Sequence, residues 1–571
     1  MKKTSVTRLL NNLRNSIYSR KNLLTSDEFE RANAELDYGK DIAPLCDSEE
    51  EFAQRIANNF KAFYPNVSTA LHRIHEIAGS GTLSSCLSSL NIVQALFDLN
   101  LYGSQGIKDP NLIIGRGHIA PLFYAFRHLQ HGMPLSYLLA IHDVVPAVVN
   151  KLWGFANTMR HSLGEGLGIA VGKALTRTTT NTVFCFVGDG ELNEGISFEA
   201  IRLAYEQAIK NFVVIIDNNG KGIEPLPKQL NTAYVASFFE SVIQVDGHNT
   251  QEISYAVKLA VAGGQRTAII CNTNKGSHSY KRIGSHKKPT TCGKVAEIIR
   301  QYQKNFTCHV FTADLAARFG LASDDTYTNV GLAEASMLAL TMGAPDAHIK
   351  IVLTDDKYYL NSLDVLQSAL AATRNLHIVA SRKNLVWGGP TCVPSVFSAI
   401  VQAKVFELSD PEDLKQFMAD AISRDKNGLY LLYDQPISNV QLLREDYFRL
   451  TPDAYIRYGK TSQPLVISSE SVAYEASYLT KIEECTHIRM LTTRPKLSGQ
   501  MAQKIKSSQK IAVIEHNTGR AGLAEYIESE LLVRVHKIYA EDYDCPSKRT
   551  FQSEKVYNKL ENFFRKNTFE N

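Results

Sequence analysis

The 571-residue chain lacks the features that mark most specialised sequence classes. No apolar run approaches the ~20 residues needed to span a bilayer, so no membrane-spanning helix is expected. Its nine cysteines are scattered, odd in number and free of any CxxC pair, which argues against both a disulfide framework and a zinc site. Charge of either sign is not in surplus: a net +4 is small for this length and argues against a dedicated nucleic-acid or membrane surface. There is no fixed-period repeat and no low-complexity tract. What remains, with 44% hydrophobic and 21% charged residues, is an ordinary soluble globular composition. The length predicts two to four domains in a reducing, aqueous compartment, and a cytoplasmic address is the expectation.

Strand and helix patterns alternate along most of the chain. Residues 183–190, VFCFVGDG, read as a buried parallel strand ending in glycines. A helical pattern follows, then 212–217, FVVIID, a second apolar strand that stops at Asn218-Asn219-Gly220. Such a βαβ unit opens both strand ends on one sheet edge, where ligands of parallel sheets bind. Asp189 and Asn219 are thereby brought together. With a main-chain carbonyl near Lys221 they make a set of hard oxygen ligands suited to Mg²⁺, phosphate oxygens completing the octahedron. Gly188 and Gly190 let backbone N–H groups approach a diphosphate beside a helix N-terminus.

The wording GDGELNEGISFEA…DNNG resembles the transketolase branch of the thiamine-diphosphate-dependent enzymes, and the resemblance extends over roughly residues 66–571. It implies three consecutive α/β domains, two thiamine-diphosphate-binding folds and a transketolase C-terminal-type domain. The boundaries read as a helical N-terminal extension at 1–65, a diphosphate-binding domain at 66–294, a pyrimidine-binding domain at 295–445 and the last domain at 455–571. Residues 1–26, basic until Asp27, fit either an organellar presequence or a surface helix. The implied cofactors are thiamine diphosphate and Mg²⁺, or Ca²⁺ or Mn²⁺ in its place, in a homodimer. Glu334, opening an apolar helix in NVGLAEASM, matches the family glutamate that touches N1′ of the aminopyrimidine. Burial there would raise its pKa and make it a proton donor near neutral pH. Glu191 and Glu194 fall in the diphosphate segment, Glu194 where the family links two cofactor sites across the dimer. His118 matches a strand-end Gly-His that reaches diphosphate and substrate, and Ser162, Leu163 and Gly164 match a loop around the cofactor. His161 at the mouth of that loop and His286 in a Gly-Ser-His segment are further catalytic candidates. Asp314 matches an Ala-Asp-Leu turn near the cofactor. Tyr358, with Tyr359 as its rival, stands where an aromatic residue stacks on the pyrimidine.

Departures from the family pattern bear on the substrate. Thr82 and Cys392 stand where histidines bind the hydroxyls of a ketose. Arg318 and Arg382 stand where other residues bind a phosphate, so an anionic tail is expected. The leading expectation is transfer of a two-carbon ketol unit from a ketose to an aldehyde. The alternative, resembling 1-deoxyxylulose-5-phosphate synthase, is decarboxylative condensation of a 2-oxo acid with an aldehyde. A catalytically silent scaffolding paralogue is the third.

Overall fold

The computed structural model describes residues 2–79, 81–103, 106–107, 111–131, 133–141, 143–145, 163–176, 182–224, 230–276, 289–322, 324–382, 393–400, 404–482, 484–515 and 522–539. Of the residues named above, His161, Ser162, His286 and Cys392 lie outside these. The described chain falls into two compact units, one within Met1–His286 and the other within Lys287–Asp544.

The first unit holds a five-stranded, wholly parallel sheet. Its strands are β1 (Leu112–Ile114), β2 (Val183–Gly188), β3 (Phe212–Asn218), β4 (Ser241–Asp246) and β5 (Thr267–Asn272), in the order β1-β2-β3-β5-β4. Both faces of its central strands are covered, which explains the continuous apolar runs: Phe184 and Phe186 enter one core, Val183, Cys185 and Val187 the opposite one. Cys185 and Cys271 are fully buried small residues of these strands.

The N-terminal helices share the first of those cores. They are α1 (Lys2–Ser19), α2 (Ser26–Ile42), α3 (Glu49–Asn59) and α4 (Val67–Ala78). Helix α1 buries Val6, Leu9, Leu10, Leu13 and Ile17, a stripe at helical spacing, in the same cluster as Phe184 and Ile215. Polar ties accompany the packing. Glu35 on α2 accepts hydrogen bonds from the backbone N–H groups of Leu135 and Ser136 at 3.1 and 2.9 Å. Glu28 forms a capping box with Thr25 and also accepts from Arg73 and from the Tyr64 hydroxyl. Ser16 donates to Asp143 at 2.5 Å.

The second unit carries two six-stranded sheets. One, wholly parallel, comprises β6 (Cys308–Thr312), β7 (Thr328–Asn329), β8 (Ile349–Asp355), β9 (Leu376–Arg382), β10 (Val405–Leu408) and β11 (Gly428–Tyr433), ordered β10-β11-β9-β8-β6-β7. The other comprises β12 (Phe448–Thr451), β13 (Ala454–Arg457), β14 (Thr461–Ser469), β15 (Cys485–Met490), β16 (Ile511–Glu515) and β17 (His536–Tyr539), ordered β12-β13-β15-β14-β16-β17. Its β12–β13 hairpin pairs antiparallel at the edge, as does β13 with β15; its other pairings are parallel. The molecule is thus α/β with three parallel-dominated sheets. Among the described residues no helix is long and apolar enough to cross a membrane.

Candidate functional site

Register builds the first half of the site. Parallel pairing sets Gly188 on β2 opposite Asp217 on β3, so Asp189 and Asn219 emerge side by side from the same sheet edge. The Asp189 carboxylate accepts from the backbone N–H groups of Asn219 at 3.0 Å, Gly220 at 2.6 Å and Gly190 at 2.9 Å. Asp189 is buried, and burial pushes its carboxyl above the usual range although these N–H groups and the Arg116 charge pull it back. The Asn219 side-chain oxygen accepts from the Lys221 N–H at 3.1 Å, while its Nδ2 is buried with no partner among the described residues.

That orphaned amide tests whether a metal diphosphate fits. A carboxylate has about four lone-pair positions, so three N–H bonds leave Asp189 able to ligate a cation. The Asn219 oxygen and the Lys221 carbonyl are equally hard donors, and the unpaired Asn219 N–H₂ faces the deficit that a phosphate oxygen fills. The residues present fit the group.

Around this edge the chain approaches closely. Gly164 has a positive φ of 85°, and a Cβ there would lie 2.8 Å from both the Glu194 Cβ and the Ile196 side chain, so only glycine lets this loop close. Glu191 draws two loops together: its carboxylate accepts from the N–H groups of Gly188 at 2.8 Å and Gly164 at 3.3 Å. Glu194 immediately precedes α6 (Gly195–Glu206), which packs on α5 (Glu165–Leu175); Leu163 and Gly164 lead into α5. Thr82 donates to the carbonyl of His118 at 2.9 Å, so the structure brings those two positions together. Beneath them Arg116, fully buried, pairs with Asp217, which also accepts from Ser88 and Ser89 at 2.8 Å each. Neither Arg116 nor Asp217 was singled out from sequence, although an aspartate inside an apolar strand run is itself a signal of a buried partner.

A second absentee from the sequence reading is Lys275. The loops after β3 and β5 run alongside each other, joined by Asn218 to Asn272 at 2.8 Å. There the Lys275 ammonium donates to the carbonyls of Lys221 at 3.2 Å and Gly222 at 2.5 Å, and the Lys221 ammonium reaches the Lys275 carbonyl at 3.4 Å.

In the second unit Glu334 opens α7 (Glu334–Met342) and is buried. Burial first, then the charges of Asp355 and Asp314, push its carboxyl up to about 7. Asp314 adopts a left-handed backbone, φ 57°, and its N–H donates to Asn329 at 3.0 Å. Tyr358 is half-buried under the Lys357 ammonium, whereas Tyr359 is fully buried and its hydroxyl has no hydrogen-bond partner among the described residues. Arg318 pairs with Asp355, and Arg382 with Asp356 at 2.6 Å. Each guanidinium therefore already holds a carboxylate, and an anionic substrate tail would have to share it. Asp189 and Glu334 lie in different units.

Residues 74–314 match the family model described as "Transketolase, thiamine diphosphate binding domain". Over 244 residues the chain is 34% identical to the transketolase of Homo sapiens, a match spanning 39% of each chain. It is 32% identical over 255 residues to transketolase-like protein 2 of Bos taurus, 40% of each. The 6-deoxy-6-sulfo-D-fructose transketolase subunit SqwG of a Clostridium species is 28% identical over 228 residues, 37% of this chain and 82% of that one. The matches to the animal proteins thus span about two-fifths of their length. A solved transketolase from Campylobacter jejuni covers 87% of this chain and 98% of its own at 17% identity, with a TM-score of 0.41.

Proposed function

This chain is a divergent member of the transketolase family, and from that premise we propose that it is a thiamine-diphosphate- and divalent-metal-dependent transferase moving a two-carbon ketol unit from a ketose to an aldehyde. The observation that carries the reading is the sheet edge where Asp189 meets Asn219 inside the matched domain. When bound, the cofactor supplies a thiazolium carbon nucleophile and an electron sink. The chain's own residues do the rest. Asp189, Asn219 and the Lys221 carbonyl hold the metal, and the Asn219 N–H₂ meets the diphosphate. Glu334, titrating near 7, holds a proton at its carboxyl and shares it with a basic ring nitrogen at working pH. Gly164 and Glu191 fix the loops so that these groups need no rearrangement.

A homodimer is part of the proposal. On α5, Gly168 and Gly172 face open space, and on the adjoining α6 Ile196, Phe198 and Tyr205 are 44%, 41% and 53% exposed. An apolar surface beside Glu194 is what a second copy covers. For the substrate, Arg318 and Arg382 support an anionic tail, phosphate or sulfonate, the latter prompted by the name of the clostridial relative.

The test is calorimetry followed by a substrate screen. Thiamine diphosphate with Mg²⁺ is expected to bind, and ketose phosphates or sulfonates to give two-carbon transfer to short aldehydes. CO₂ release from pyruvate without ketol transfer would replace this reading with the decarboxylative one. No cofactor binding at all would reduce the chain to a scaffold.

A further inference from the structure

Among the described residues the third proposed metal ligand, the Lys221 carbonyl, is the one already occupied by a charge. Asp189 and Asn219 are engaged by neutral N–H groups that leave lone pairs available. The Lys221 carbonyl instead takes the Lys275 ammonium at 3.2 Å, with the Gly222 carbonyl as its second acceptor at 2.5 Å. The arrangement is built rather than incidental. Parallel pairing of β3 with β5 fixes the two loops, and Thr273 donates its N–H to Asn218 at 3.0 Å just before Lys275. A lysine has three donors and no acceptor, so its only use among carbonyls is as a cation.

Resting on the metal-dependent reading above, we infer that Lys275 is a resident cation of the metal site, bound to the Lys221 carbonyl until a divalent ion displaces it. An ammonium and a divalent ion within one ligand set repel each other, so both cannot keep the same oxygen. Metal binding is then an exchange of cations. Lys275 sets the threshold for it, making the site poorly receptive to a bare ion.

Mn²⁺ alone is the probe, its binding to the full-length protein read by electron paramagnetic resonance. Lys275→Met is expected to bind Mn²⁺ about ten-fold more tightly than wild type, the scale of one lost charged hydrogen bond. Lys275→Arg, which keeps the charge, is expected to stay near wild type. Asp189→Ala should abolish binding in both backgrounds, locating the ion. In the wild type, an amine-reactive reagent with peptide mass spectrometry should find Lys275 modified faster once Mg²⁺ is added. Unchanged or weaker Mn²⁺ binding by Lys275→Met, or Mg²⁺-independent labelling, overturns the inference. If wild type binds thiamine diphosphate with Mg²⁺ yet Lys275→Met changes nothing, only this inference fails; if it binds neither, the parent reading fails as well.

Discussion

Glu334 has a clear pH signature. Its carboxyl titrates at about 7 in the fold against 4.5 for an ordinary glutamate. Because the folded pKa is raised, the fold carries no penalty below 4.5, loses stability as pH rises through that interval, and bears the full cost above 7. At about 1.4 kcal/mol per unit, the cost reaches about 3 kcal/mol. Glu334→Gln, neutral at every pH, should therefore melt higher than wild type at pH 8, with the difference vanishing near pH 4.5 in scanning calorimetry. A difference independent of pH would mean that Glu334 is not held in a dry site. The same variant should lose C2 proton exchange of bound thiamine diphosphate. That Glu334 is a buried carboxyl was legible in sequence, since a carboxyl at the head of an apolar helix has few water contacts. The pairings of Arg318 and Arg382 were not. Their partners Asp355 and Asp356 are consecutive in the chain, yet they pair 37 and 26 residues away, with different arginines. Only sheet register decides which guanidinium each one meets.

Elements were read more securely where burial is two-sided. Strands β2 and β3 are continuous apolar runs because both faces of their sheet are covered, and their positions follow from composition alone. Helix α1 illustrates the opposite case. An amphipathic helix with basic residues has the same pattern whether it lies on a surface, targets an organelle or packs into a core, and only the shared cluster with the first sheet distinguishes these. Its five buried aliphatic side chains contribute about 1.5–3 kcal/mol each on burial, comparable in sum to the net stability of a whole domain. Deleting residues 2–24 should accordingly leave an aggregation-prone protein that binds a hydrophobic dye and melts well below the full chain. A truncated protein with an unchanged melting temperature would contradict the packing.

For the whole molecule, the dimer proposal makes a quantitative prediction. If Glu334 serves the cofactor held by the other copy's Asp189, then Asp189→Ala and Glu334→Ala are each inactive alone. Denatured together and refolded, half of their dimers are mixed, each with one intact site, so about a quarter of wild-type activity returns. Sites completed within one chain would return none. Which copy a side chain serves is not legible from the order of motifs, because nothing in a linear sequence states it.

The packing of α1 bears on how the protein is made. Ser16 is bound to Asp143, 127 residues downstream, and α1 packs on α2, on α3 and on residues 135–139. A nascent chain thus leaves the ribosome with its first amphipathic helix complete and part of that helix's docking surface still untranslated. For the time needed to add about 120 residues, at about 5–20 per second, that part of the helix is exposed to whatever else binds apolar stripes. The yield of native protein in a cell is set by what shields that helix during the wait.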